Sequence, residues 1–191
     1  METVARVVRV INAVNRFVGR PAAWLILGTV IVCAAVALMR YGLGFGRIWI
    51  QELYVAIFAI SFMLIAGYVY ACNQHVRVDV VSSRLSERTK ARIEILGVLF
   101  FLLPWLAVVF WVSVAGERSF VTSAWLIGEG SPLPGGLPGY YLLKSLIPIF
   151  CVMMALQGLA AIGRSLLILG GREDLLPQQE ALMPSSQNYS N

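Results

Sequence analysis

The chain has 191 residues, 59% hydrophobic and only 13% charged, with a formal net charge of +5. Soluble domains carry roughly 25% charged residues, so this composition argues against a soluble protein and for a single membrane domain. Cys33, Cys72 and Cys151 lie in or beside apolar runs without CxxC spacing, which indicates neither a disulfide framework nor a zinc site.

The first twenty residues set Val4, Val7, Val8, Ile11, Val14 and Val18 on one helical face and cluster Arg6, Arg9, Arg16 and Arg20 opposite. This pattern predicts an amphipathic interfacial helix over residues 1–20, its arginines at the membrane surface among lipid headgroups. A cleaved signal peptide fits less well, because the basic region is long and the following apolar run is full span length. "IVC" also lacks the small residue that a lipoprotein signal places before its cysteine, so an uncleaved anchor is expected.

Four stretches, 21–39, 53–74, 95–116 and 145–163, contain no Asp, Glu, Lys or Arg. Each is long enough to cross roughly 30 Å of hydrocarbon. None carries the polar stripe that a soluble bundle helix needs for its wet face. The prediction is an all-α membrane protein with four transmembrane helices, at about 21–41, 50–74, 93–116 and 141–164. One domain would cover 1–170, followed by a mobile cytoplasmic tail over 171–191.

Lys and Arg in the connections set the orientation. Arg6, Arg9, Arg16 and Arg20, the loop residues Arg77, Arg84, Arg88, Lys90 and Arg92, and Arg164 and Arg172 fall on one side; Arg40, Arg47, Arg118 and Lys144 fall on the other. Eleven against four places both termini and the central loop in the cytoplasm.

Between the first two spans, "GLGFG" (42–46) has no strand before it and no acidic partner, so it reads as a flexible turn and not a nucleotide loop. "WIQEL" then brings Trp49 and Glu52 to the outer start of the second span. An ionisable group at membrane depth suggests function, such as the proton-binding carboxylate of a four-span homodimeric exporter. Trp49 instead marks the aromatic belt, and Arg40 and Arg47 are near in sequence, which favours a structural ion pair or a partner contact for Glu52.

"HVRVD" follows the second span and holds the one histidine in the sequence, His75. A membrane anchor of a redox complex would need a second haem ligand, and a metal site would need more than Asp79 nearby. In a helix His75 and Asp79 stand at i and i+4, although the alternating pattern also allows an extended exit. Farther on, Ser86 is a plausible N-cap with Glu87 at the positive end of the third helix. "SFVTSAWLIG" either prolongs the third span or lies at the interface. "EGSPLPGGLPG" (129–139) is too rich in proline and glycine for regular structure and forms a shaped connector or docking surface. No Walker motif, catalytic triad or metal cluster is present, so neither an enzyme nor a nucleic-acid-binding protein is expected.

The order and spacing of these features resemble the small membrane subunit of tripartite ATP-independent periplasmic (TRAP) transporters across nearly the whole chain. The arginine-rich start, "WIQEL", "HVRVD", "GGLPGYYLLKSLIPI" and "LQGLA" occur in the family's order. The fourth of these features resembles the family's longer-loop branch, with Gly135, Gly136, Leu137, Pro138, Lys144 and Pro148, followed by Gln157 and Gly158 in the fourth span. Gln51 departs from the pattern, since many relatives carry a second acidic residue there. The resemblance implies a scaffold in a bacterial inner membrane that braces a large multi-span subunit. That partner would perform sodium-driven uptake of an organic acid delivered by a periplasmic binding protein. It also implies interface or structural roles for Trp49, Glu52, His75, Asp79, Gly135, Gly136, Pro138, Lys144 and Gln157, and no cofactor in this chain. With no large subunit fused to it, the chain is expected to be inert alone.

Overall fold

The computed structural model describes residues 1–72, 85–115, 119–172 and 175. His75, Asp79, Arg77, Arg84, Arg118 and most of the predicted tail lie outside the described residues. The rest is helical, with no strand among the described residues. Helix α1 (Glu2–Gly42) turns back into α2 (Ile48–Ala71). The third span joins α3 (Glu87–Gly97), a π-helical turn (Val98–Leu102) and α4 (Leu103–Val114). Short helices α5 (Phe120–Ile127) and α6 (Tyr140–Lys144) flank the proline-rich loop, and α7 (Leu146–Leu169) is the fourth span. Four helical stretches, Glu2–Gly42, Ile48–Ala71, Glu87–Val114 and Tyr140–Leu169, are long and apolar enough to cross a membrane. The chain is an all-α, four-span membrane protein.

The amphipathic segment and the first span form one helix of 41 residues with Pro21 inside it. At 1.5 Å per residue it is about 60 Å long, roughly twice the hydrocarbon thickness. Pro21 removes the donor that the Phe17 carbonyl would have used, a loss tolerable where neighbouring helices hold the chain in place. The Ser61 hydroxyl on α2 donates to the adjacent Ala22 carbonyl at 2.8 Å and is fully buried. The start of α1 runs along α7, with Val4 and Val8 against Gly163, and from Asn15 onward the helix also runs along α2, with Asn15 against Gly67, Gly19 against Tyr68 and Gly28 facing Ile57.

The buried face of α1 is Ala5, Val8, Asn12, Asn15, Gly19 and Ala22. Their three-four spacing is that of a coiled-coil seam, and their small size lets backbones approach closely. The predicted valine face is therefore divided: Val8 is buried against α7, while Val7 and Val14 stay about half exposed, at 52% and 48%.

Helix α7 is the centre of the bundle. In its most apolar window 44% of residues are buried, against 6–11% in the other three spans. Cys151 and Met154 pack with Leu106 of α4, flanked by Tyr70 and Leu102. Gly158 allows the third span to come close: a Cβ there would lie 3.0 Å from Leu102 and 3.1 Å from Val98. The π-helical turn has a local cause. Pro104 cannot donate to the Phe100 carbonyl, and the Leu103 N–H reaches back to the Val98 carbonyl, giving a wider register.

The helices run past the expected span limits at several ends. The third begins at Glu87 because Ser86 caps it, its Oγ accepting from the Thr89 N–H at 3.3 Å. The fourth reaches Leu169, carrying Arg164 within the helix. Before α5 the chain leaves helical geometry at Ala115, so "SFVTSAWLIG" forms a separate helix and does not prolong the third span.

Candidate functional site

The polar side chains that the bundle gathers fall into three groups. The first lies where the α5–α6 connection meets the start of α2. Glu52 projects from the second turn of α2 into the loop; its Oε1 accepts from the Ser131 hydroxyl and its Oε2 from the Leu137 N–H at 2.6 Å. Ser131 and Leu137 are themselves joined, the Ser131 N–H donating to the Leu137 carbonyl at 3.0 Å. Left-handed backbone at Gly128 (φ 58°), Gly135 (φ 76°) and Gly139 (φ 87°) gives the connector its turns, which explains why glycine recurs there.

Of the two roles expected for Glu52, the ion pair with Arg40 or Arg47 is not formed in this geometry. Both arginines are exposed, and among the described residues neither pairs with Glu52. Sequence proximity misled, because the true partners lie 79 and 85 residues away in the chain. The cation of this region, Lys144, instead pairs with Glu129 at 2.5 Å and stands 4.0 Å from the centre of the Phe120 ring. Trp125 Nε1–H donates to Ser145 Oγ at 2.7 Å while its ring packs edge-on against Tyr141. Pro138, with Leu137 and Tyr140, roofs an apolar cavity of about 220 Å³ floored by Ala56 and Ile60. Trp49 is 44% exposed at the same end, touching none of these groups' hydrogen bonds.

The second group is a buried amide cluster between α1 and α7. Asn15 Nδ2–H donates to Gln157 Oε1 at 2.8 Å, and Gln157 Nε2–H donates to Asn12 Oδ1 at 3.0 Å. Asn15 is 1% exposed and Gln157 2%. Asn15 Oδ1 is left without a hydrogen-bond partner against the Cα of Gly67. Gln157 was singled out by its motif; Asn12 and Asn15 were not. Their signal was the seam spacing through Ala5, Val8, Gly19 and Ala22.

The third group ties α3 to α7: Arg164 approaches Glu94 at 3.5 Å and the Ser165 hydroxyl donates to Glu94 Oε2 at 3.1 Å. These side chains are largely covered, at 15% exposure for Arg164 and 19% for Glu94. Glu94 lies at a span's end beside a shallow cavity lined by Tyr70, Val98 and Met154. Of the surface arginines, Arg6, Arg9 and Arg20 are exposed and Arg16 is partly covered.

None of the three groups resembles a reaction centre. Each carboxylate is held by donors of its own bundle, and no metal-binding cluster occurs among the described residues. What the groups do chemically is fasten helices and shape a loop. Residues 28–167, most of the chain, match the family model described as tripartite ATP-independent periplasmic transporters, DctQ component. No curated protein and no solved structure matches the chain.

Proposed function

Because the chain belongs to the DctQ component family of TRAP transporters, we propose that it braces the large membrane subunit for sodium-driven, binding-protein-dependent uptake of an organic acid. Members of this family are small permease subunits, not enzymes, and work with a large DctM subunit and a periplasmic binding protein.

One observation carries the bracing role. The four apolar stretches have no Asp, Glu, Lys or Arg in their middles, so they offer no ionisable side chain to carry a coupling proton or to pair with a substrate carboxylate. Transport chemistry then belongs to the large subunit.

In this reading the protein sits in a bacterial inner membrane with its termini and central loop in the cytoplasm, as the arginine distribution favours. The 129–139 loop then faces the periplasm and helps seat the binding protein. His75 and Asp79 order the end of the second span and its contact with the large subunit.

The test is co-purification of the tagged chain from native membranes in mild detergent, with every retained protein identified. A stoichiometric, much larger multi-span partner is expected. Recovery only as a self-associated dimer would overturn the bracing role and make Glu52 a transport candidate.

A further inference from the structure

Glu52 is bound in a manner that neither an ion pair nor a proton carrier requires. Both of its oxygens accept from uncharged donors, one on each limb of the loop: the Ser131 hydroxyl and the Leu137 N–H. The carboxylate thereby spans the same two residues that the Ser131 N–H to Leu137 carbonyl bond joins, and it closes the ring of residues 131–137 from the α2 side. Inside the ring the Gly136 N–H donates to the Leu133 carbonyl at 3.1 Å, and the Leu133 N–H donates to Ser131 Oγ at 3.1 Å. Pro132, Leu133, Pro134 and Gly135 form the exposed tip.

The fit is close enough to dictate a neighbouring residue. A Cβ on Gly136 would come 2.6 Å from Glu52 Oε2 and 2.5 Å from Ser131 Cβ. Any side chain there pushes the carboxylate out of the ring or the loop off α2. Two prolines stiffen the tip, so the carboxylate has little freedom left to remove. A loop whose amides would otherwise look to water is given a fixed shape by one side chain from a transmembrane helix.

A glutamine can make both contacts. Its carbonyl oxygen can accept from the Leu137 N–H, and its amide can donate to Ser131 Oγ. An alanine can make neither. This separates hydrogen bonding from charge.

We infer that Glu52 is a positioning residue: it latches the 129–139 loop onto α2 and so presents the Pro132–Gly135 tip to the periplasmic binding protein. It acts through hydrogen bonds, and its charge and protonation play no part in transport. The inference rests on the proposed periplasmic placement of this loop.

The experiment uses the complete transporter in proteoliposomes, with Glu52→Ala, Glu52→Gln or Gly136→Ala in the small subunit. Uptake is followed against binding-protein concentration, and amide hydrogen exchange is followed in the 129–139 segment. E52A and G136A should speed exchange at Leu137 about tenfold, the size expected for losing one hydrogen bond to a charged group. They should also raise the half-saturating binding-protein concentration several-fold at an unchanged maximal rate. E52Q should rescue both. If E52A fails to assemble, Ser131→Ala, which removes one of the two bonds, carries the same comparison. Loss of uptake in E52Q as complete as in E52A, with loop exchange unaltered in both, would overturn the latch and assign a role to the charge. Faster exchange in E52A with unchanged half-saturation would retain the latch as a loop contact and overturn its link to the binding protein.

Discussion

Gly67 on α2 has no room for a side chain because Asn15 on α1 occupies the space: a Cβ at Gly67 would overlap Asn15 Oδ1. The amide cluster between α1 and α7 is thus closed from a third side by a glycine. Gly67→Ala should destabilise the solubilised chain by about 1–3 kcal/mol, the usual cost of overpacking a tight interior. Thermal unfolding in detergent measures it. Adding Asn15→Ala should recover part of the loss, because the two residues share one space. A melting temperature for G67A equal to wild type would mean that α1 is not held against α2 at this level.

Gln157 links both asparagines, accepting from Asn15 and donating to Asn12. Gln157→Leu keeps most of the volume and removes both bonds. Interhelical hydrogen bonds in membranes average roughly 0.6 kcal/mol, with a maximum near 1.7, so a loss of about 1–2 kcal/mol is expected. Disulfide trapping between cysteines placed on the first half of α1 and on α7 reads the consequence directly: cross-linking should become slower in Q157L. Unchanged cross-linking and stability would show that packing alone holds the helices.

Two ion pairs allow an internal comparison. Arg164 and Glu94 are mostly covered, at 15% and 19% exposure, whereas in the Lys90–Glu87 pair Glu87 is 71% exposed. Arg164→Ala removes a largely covered charged contact while Glu94 keeps its bond from Ser165, and should cost about 1–2 kcal/mol. Lys90→Ala should cost about 0.3–0.5 kcal/mol and vanish at high salt. Equal effects in unfolding assays would contradict the burial of the first pair.

His75 and Asp79 stand four residues apart beside a basic loop, the observation behind their proposed ordering role. His75→Ala and Asp79→Ala are each predicted to lower the yield of assembled complex in a co-purification assay. Full assembly with lost transport in both variants would favour direct participation in the mechanism instead.

The four spans were legible because their signal is carried by uninterrupted apolar runs, which need no knowledge of neighbours. The Ser86 cap was legible for the same reason: the cap and the amide that it serves are three residues apart. The inner face of α1 was not. Taken as an isolated amphipathic helix, residues 1–20 point their valines toward the apolar side. In the bundle, what lies opposite is α7, and its Gln157 and Gly163 select Asn12, Asn15 and Val8. The seam spacing from Ala5 to Ala22 was present in the sequence, but two asparagines within it read as polar surface until a partner amide is supplied. Glu52 illustrates the same limit. A charge suggests the nearest opposite charge in the chain, while its actual partners are an uncharged hydroxyl and a backbone amide brought in by the loop.

The Asn15–Gln157 contact also sets an order of events in biosynthesis. The two residues are 142 positions apart. At 5–20 residues per second the ribosome makes the glutamine roughly 7–30 s after the asparagine. Through that interval Asn12 and Asn15 lack the Gln157 amide that joins them, and Asn15 has only its bond to the Ile11 carbonyl. Only emergence of the last span completes the amide cluster, so the contact of the first helix with α7 forms last although that helix is synthesised first. A chain truncated before α7 would leave Asn12 and Asn15 without Gln157 throughout.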